Sequence, residues 1–560
     1  MGVLQIVIIL VVTVLLIKPL GTYIYHVFSN EPNRTDRIFG WLERFIYALI
    51  GLKQRAGMTW KRYVLSFLLT NILFVVIGYL LLRIQSVLPL NPNDIGNMEQ
   101  TLSFNTITSF MTNTNLQHYS GESGLTYFTQ MAVIMMMMFT SAATGLSIVI
   151  AFIRGLTSRG HTLGNFFEDF VKSHTRILFP AAILVTLLLV ALQVPQTLNP
   201  ILTVTTLEGA AQQIAIGPVA SLESIKHLGT NGGGFFGVNS AHPFENPSSL
   251  TNIVEILSMW LIPASLPYVY GRFAKNSRQG WVIFSAMMTL FIVFLCVIYA
   301  SEMRGNPQIT AMGIDTSQGN MEGKEVRLGV AQSSLFSTVT TAATTGSVDN
   351  MHDTLTPLGG VVPLAQMMLN VVFGGEGVGL INMLMYAMLG VFLCGLMVGR
   401  TPEFLGRKIE PKEMKLIAVA ILMHPFIILV PTAIAFLTDL GQGSITNPGH
   451  HGISQVLYEY TSSAANNGSG FEGLADNTPF WNITTGLVML LGRYISMIAM
   501  MAVAGSLVRK HLVPETIGTF RTDNALFYGI LIGTVLIIGA LTFLPAIVLG
   551  PIAEHLTLGS

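Results

Sequence analysis

Four short polar stretches decide the fold: Thr112-Asn113-Thr114-Asn115, Thr230-Asn231-Gly232-Gly233, Thr344-Thr345-Gly346-Ser347 and Asn466-Asn467-Gly468-Ser469. They recur at intervals of roughly 118 residues, each closing a Ser/Thr/Asn-rich segment and each lying between two long apolar runs. Gly232, Gly346 and Gly468 hold the third place of three tetrads, and Thr114 holds it in the first. Glycine permits an extended or left-handed backbone with its carbonyl facing inward and no side chain in the way. A dehydrated alkali ion must recover the oxygens of its water shell, and rings of backbone carbonyls supply them. Four quasi-equivalent loops on one chain therefore predict a four-fold cage of main-chain oxygens around a cation.

The surroundings of the tetrads are those of a membrane protein. The chain has 560 residues, 51% hydrophobic and only 10% charged, with no net charge, and its mean hydropathy is +0.60. A soluble domain carries about 25% charged residues. Apolar runs near 3–25, 63–84, 131–153, 177–195, 251–271, 281–300, 379–399, 416–436, 482–505 and 525–549 are each long enough to cross about 30 Å of hydrocarbon. They predict an all-α integral membrane protein with ten transmembrane helices. Zero net charge removes any electrostatic case for nucleic acid. Cys296 and Cys394 lie inside apolar runs, where no disulfide framework is expected. The first run follows no Lys or Arg and has no small-residue cleavage site, so it reads as a retained helix and not a signal peptide.

Charge orients the spans. Twenty-two Lys and Arg fall in the odd-numbered loops, beginning with Arg34, Arg37, Arg44, Lys53, Arg55, Lys61 and Arg62 in the first. The even-numbered loops hold four, Lys226, Arg304, Lys324 and Arg327. The odd loops are then cytoplasmic and both termini extracellular. All four tetrads land outside, beside Asp94, Glu99, Glu122, Glu223, Glu245, Asp349, Asp353, Glu459, Glu472 and Asp476. Such carboxylates predict a vestibule that concentrates cations, although exposed loops are also acidic for solubility alone.

The eight inner spans group into four helix–pore loop–helix repeats at 63–172, 173–278, 279–412 and 413–522. Residues 1–62 add a helix and a cytoplasmic loop, and 523–560 a further helix. Short segments Ser103–Met111, Leu222–Gly229, Gln332–Ala343 and Ile453–Ala465 precede the tetrads and have helical length. They are too short and polar to span, and can enter the membrane only where protein or water surrounds them. A helix entering from outside aims its partially negative C-terminus at the midplane, which favours a cation there.

Two further features bear on an ion path. Arg493 is a strong cation well inside a span, costing about 2.5–3.5 kcal/mol or more if it faced lipid. It is expected below the filter, where it would repel an ion running straight through; a snorkelling or salt-bridged arginine is the alternative. Phe373-Gly374-Gly375-Glu376-Gly377-Val378-Gly379 opens the second helix of repeat three. With no strand before it, this is not a dinucleotide fingerprint. Its glycines leave thin backbone where an ion could exit sideways, and Glu376 either attracts that ion or caps the helix. Met135–Met138 reads as adaptable packing, and the adjacent His450 and His451 should diverge.

The stretches T-N-T-N (112–115), G-T-N-G-G-G-F-F (229–236), T-T-A-A-T-T-G-S (340–347) and S-A-A-N-N-G-S-G-F (463–471) resemble the potassium-binding A subunit family of the bacterial Kdp potassium-transporting ATPase. The contexts 239–247 (N-S-A-H-P-F-E-N-P) and Gly399-Arg400-Thr401-Pro402-Glu403 are similar to that family too. The resemblance implies the fold of the superfamily of potassium transporters and potassium ligation by the backbone oxygens of the tetrads. It also implies transfer through an intramembrane tunnel to a P-type ATPase B subunit, with a C subunit and a small F subunit completing the complex, in a bacterial cell membrane. Ion-path control is expected of Arg493 and Arg400, with Gly374, Gly375, Glu376, Gly377 and Gly379. The chain itself has neither a D-K-T-G phosphorylation motif nor a G-x-x-x-x-G-K-[ST] loop, so no nucleotide binding is expected of it. A ten-thousand-fold gradient costs about 5.5 kcal/mol, whereas about 100 mV returns about 2.3 kcal/mol per charge. Scavenging potassium therefore calls for coupled energy. The rival reading is a secondary potassium transporter or channel of the same superfamily.

Overall fold

The computed structural model describes residues 2–29, 31, 35–52, 56–397, 399, 401–514 and 519–558. Arg400, and Arg34, Lys53 and Arg55 of the charge pattern, lie outside the described residues. Among the described residues, ten helices are long and apolar enough to cross a membrane: Gly2–Phe28, Trp60–Arg83, Tyr127–Thr157, Phe166–Ala191, Ser249–Phe273, Ser277–Ala311, Val378–Met397, Pro411–Leu437, Pro479–Leu507 and Ala525–Thr557. Each coincides with one of the ten apolar runs. This is a multi-pass membrane protein.

Burial separates central from peripheral spans. The apolar windows of Tyr127–Thr157 and Ser249–Phe273 are 83% and 78% buried, against 22% for Gly2–Phe28 and Pro411–Leu437. The first span packs on Ser249–Phe273, where Gly21 admits the Tyr268 ring: a Cβ there would stand 2.7 Å from it. The last span packs on Ser277–Arg304 and Val378–Met397. Both added helices therefore flank the repeat bundle and leave its centre to the pore loops.

Four short helices precede the tetrads: Gln100–Met111, Val219–Leu228, Gly329–Ala342 and His450–Ala465. Each begins three residues before the predicted start. In the first, the Glu99 carboxylate caps the end, accepting from the Thr101 and Leu102 amides at 2.6 and 2.9 Å. These helices are polar yet buried, so their hydroxyls need internal partners. They turn back onto the preceding turn: Ser103 Oγ donates to Glu99 O at 2.7 Å, and Thr338 and Thr341 Oγ1 donate to Ser334 O and Ser337 O at 2.7 Å each.

Three features depart from the sequence expectation. Thr35–Leu49 is a helix where a loop was expected. Its buried Glu43 pairs with Arg176 at 2.5 Å, while Ile38, Trp41, Phe45 and Leu49 are exposed. The boundary at 172/173 falls inside the span Phe166–Ala191, because Glu168, Asp169, Lys172 and Arg176 mask its first turns. Finally, the second half of repeat three is broken. A 13-residue apolar helix, Pro357–Leu369, precedes an irregular stretch, and Val378–Met397 follows. Thirteen residues cannot cross the bilayer, so this helix gave no spanning signal.

Candidate functional site: a ring of four pore loops

Every pore helix ends in the same local geometry. Just past the helix the chain turns left-handed in all four repeats, one residue beyond the C-cap in the first three and at the C-cap in the fourth: φ is 61° at Asn113, 47° at Thr230, 45° at Thr344 and 55° at Asn466. The next amide then reaches back five residues. Thr114 donates to Ser109 O (2.9 Å), Asn231 to Lys226 O (2.7 Å), Thr345 to Thr340 O (2.7 Å) and Asn467 to Ser462 O (3.0 Å). These bonds fix the correspondence between repeats and correct the register of the first tetrad. Thr112 closes its helix, as Gly229 and Ala343 do. The residue equivalent to Gly232, Gly346 and Gly468 is accordingly Asn115, not Thr114.

The four loops meet in cyclic order. A Cβ on Gly232 would lie 2.8 Å from Thr345 O, one on Gly346 2.1 Å from Asn467 O, and one on Gly468 2.0 Å from Thr114 O. Repeat two thus abuts three, three abuts four, and four abuts one. The circle closes where Asn113 Nδ2 donates to Thr230 O at 2.9 Å, joining repeats one and two. Glycine is required at Gly346 and Gly468 on two counts, the backbone approach and φ values of 89° and 109°. The contacts between loops are made by Asn113, Thr114, Thr230, Gly232, Thr345, Gly346, Asn467 and Gly468.

Side chains in and around the tetrads brace it. Asn239, outside them, donates from Nδ2 to Gly232 O at 2.6 Å, and Asn467 of the fourth tetrad donates from Nδ2 to Thr340 O at 3.0 Å. Gln117 and Gly234 exchange two bonds, Nε2 to O at 3.1 Å and N–H to Oε1 at 2.8 Å. His227 Nε2 meets Ser347 Oγ at 3.0 Å. Asn239 lies in the 239–247 motif, seven residues beyond Gly232. That proximity was its only trace in the sequence, and no role was assigned to it.

The acidic residues do less lining than expected and more internal bonding. Lys226, fully buried in the last turn of its pore helix, bonds Glu223 and Glu245 at 2.8 Å each and Ser240 Oγ at 3.0 Å. Burial alone would lower its pKa, but those carboxylates hold the ammonium above the ordinary lysine range. Its charge is thereby neutralised beside the ring. Glu459 meets His118 at 3.2 Å; burial opposes the charge on that imidazole, yet Asp476 and Glu459 push its pKa up to about 9. Asp353 is paired with His451 at 3.0 Å.

The glycine-rich break of repeat three lies directly against the deep end of the ring. Gly374 N–H donates to Ala342 O (2.8 Å), Gly375 N–H to Thr344 Oγ1 (2.5 Å) and Glu376 N–H to Thr230 Oγ1 (3.1 Å). Positive φ at Gly374 (43°) and Gly377 (91°) lets the chain fold into this space, and a Cβ on Gly379 would stand 2.5 Å from Gly374 Cα. Glu376 is fully buried, with both carboxylate oxygens unbonded among the described residues. Arg493 is buried nearby, its Nη2 3.5 Å from Ser141 O. A Cβ on Gly145 would meet both Glu376 O, at 2.4 Å, and Arg493 Nη2, at 3.2 Å. Arg493 also lines a cavity of about 40 Å³, with Asn370, Asn382, His424 and Asn466 among mostly apolar side chains, which has room for water.

Four helix–pore loop–helix repeats closed into a ring define a membrane protein of the four-repeat pore-loop class. The crystal structure of the potassium transporter TrkH from Vibrio parahaemolyticus shares this fold: the TM-score is 0.52 at 14% identity, over 88% of this chain and 96% of that one. A protein-family model described as Potassium-transporting ATPase A subunit matches residues 7–556. A potassium-transporting ATPase potassium-binding subunit of Geobacillus kaustophilus (strain HTA426) is 62% identical over 554 residues, 99% of each chain. The chain belongs to the potassium-transporting ATPase A subunit family.

Proposed function

We propose that this chain captures external potassium in the ring of pore loops and serves as the non-hydrolytic subunit of an ATP-driven potassium uptake pump. The tetrad carbonyls replace the ion's water, the pore-helix C-termini stabilise its charge, and both chain termini lie outside a bacterial cell membrane. The six units follow the sequence division, with the boundary between the first two repeats moved ahead of Phe166. Arg493, buried below the ring, blocks straight passage by repulsion. The glycine break at Gly374–Gly379 turns the ion sideways, past Glu376 and the cavity at Asn370 and His424, toward a P-type ATPase B subunit. A C and an F subunit complete the assembly.

The observation that carries this reading is the cyclic contact of the four tetrads, backbone against backbone, with no side chain between three of the four pairs. Potassium titration of ATP hydrolysis by the purified complex tests it. Gly232→Asp places a carboxylate where even a Cβ would stand 2.8 Å from Thr345 O, and should shift the half-saturating concentration. An identical potassium response in the variant overturns the assignment of ion binding to the tetrads.

A further inference from the structure

Three side chains from distant parts of the chain meet on the seam between repeats one and four. His118 lies three residues beyond the first tetrad, Glu459 on the fourth pore helix and Asp476 seven residues past the fourth tetrad. The imidazole Nε2 stands 3.2 Å from Glu459 Oε1 and 3.8 Å from Asp476 Oδ2. One ligand atom from each of the three residues lies within 4.8 Å of the other two. His118 and Glu459 are buried, while Asp476 is a quarter exposed and opens the group to solvent.

The far nitrogen of the imidazole is fixed. Asn482 Nδ2 donates to Thr101 Oγ1 at 3.2 Å and to Asn477 Oδ1 at 3.3 Å, which turns its Oδ1 toward His118 Nδ1 at 2.7 Å. An amide oxygen only accepts, so Nδ1 carries the proton and Nε2 is left facing two carboxylates. Histidines that bind metals are oriented by such a partner on the other nitrogen. Glu459 Oε2 has no hydrogen-bond partner among the described residues, although Glu459 is 1% exposed. No lysine or arginine among the described residues pairs with either carboxylate. The similar group of Glu223, His227 and Glu255 differs on this point, because Lys226 already supplies its cation, 2.8 Å from Glu223 Oε2.

We propose that His118 Nε2, Glu459 and Asp476 bind a divalent ion of the zinc class, with a fourth position left to water. Two ligands at 2.0–2.1 Å from a tetrahedral ion stand about 3.3 Å apart, and the observed 3.2 and 3.8 Å bracket that spacing. One neutral imidazole and two carboxylates balance the charge of the ion. Bound there, it ties the loop after the first tetrad to the fourth pore helix. The site is separate from the potassium path and does not depend on reading the ring as a potassium site. The alternative is an imidazolium held by the two carboxylates alone, which has no use for a metal.

Zinc is the probe, added to the purified complex after chelator treatment, with binding read by equilibrium dialysis and stability by melting curves. At equal free zinc the parent should hold one more ion per copy of this chain than Asp476→Asn or His118→Gln, and its melting temperature should rise with zinc. Each variant should bind at this site at least about tenfold more weakly, the loss caused by removing even a partner that only orients a ligand. Each should also lose the zinc-dependent rise in melting temperature. Asp476→Asn alters a part-exposed side chain and decides the matter if the buried histidine variant fails to assemble. Coincident zinc binding and melting curves for the parent and Asp476→Asn, or a parent that binds no zinc, overturn the proposal and leave the ion pair alone.

Discussion

Gly346→Ala gives the sharpest test of how closely the ring is built. The new methyl carbon would stand 2.1 Å from Asn467 O and 2.7 Å from Gly468 Cα. Ordinary contact begins at 3.4 Å, so the Asn467 carbonyl must withdraw by more than about 1 Å, within rigid packing. Alanine at φ 89° adds about 1–2 kcal/mol of backbone strain. That second cost is isolated by Gly313→Ala, since Gly313 has nearly the same φ, 81°, with nothing within 4 Å. A displaced carbonyl is one lost ligand to a charged group, worth roughly 1.5–3 kcal/mol. At about 1.4 kcal/mol per decade, half-saturating potassium should rise about 10- to 100-fold. Gly313→Ala should lose some thermal stability and keep its potassium response. The assay is potassium-stimulated ATP hydrolysis of the purified complex, with melting curves alongside. If Gly346→Ala assembles and its half-saturation stays within about threefold of the parent, as the Gly313 control should, the ring reasoning is refuted.

Removing the charge with Arg493→Gln should open a leak, seen as faster rubidium efflux from loaded proteoliposomes without ATP; unchanged flux would discard the barrier role. Gly145→Ala drives a methyl into Glu376 O (2.4 Å) and Arg493 Nη2 (3.2 Å), below the ring and not in it. It should cut the maximal rate severalfold while half-saturating potassium moves little, and a change confined to half-saturation would contradict that placement. His451 supplies a pH signature. Burial opposes its charge, but bonds to Asp353 and Glu554 push its pKa up to about 10. A folded-state value above the unfolded one, about 6.5, means stability fully present below pH about 6.5 and lost as pH rises toward about 10. After allowance for partial exposure the effect is of order 1 kcal/mol. Melting temperature should fall over that window in the parent and much less in His451→Gln; parallel curves would remove the ion pair from the account.

Hydropathy and charge made the spans readable because lipid imposes long apolar runs whatever lies at the centre. The tetrads were readable because bare backbone beside backbone demands glycine, and Gly346 and Gly468 answer that demand. The register of the first tetrad was not readable. Thr112 and Thr114 are chemically alike, and only the amide of Thr114 reaching Ser109 O shows where the helix stops. The break of repeat three stayed hidden for a different reason: Pro357–Leu369 is apolar but short, and the glycine stretch after it is held by Ala342, Thr344 and Thr230, which bond Gly374, Gly375 and Glu376 from outside that stretch. Lys226 entered only the count of outside-loop cations, since nothing local announces that Glu245 will meet it.

The most direct test is a density map of the assembled complex in which a heavier potassium mimic, rubidium or thallium, is located by its anomalous signal. The account predicts a peak enclosed by the third- and second-place backbone of all four tetrads, bounded by Thr114, Asn231, Thr345 and Asn467, and none at that point in sodium alone. A strong peak elsewhere, with the ring empty in saturating rubidium, would contradict it.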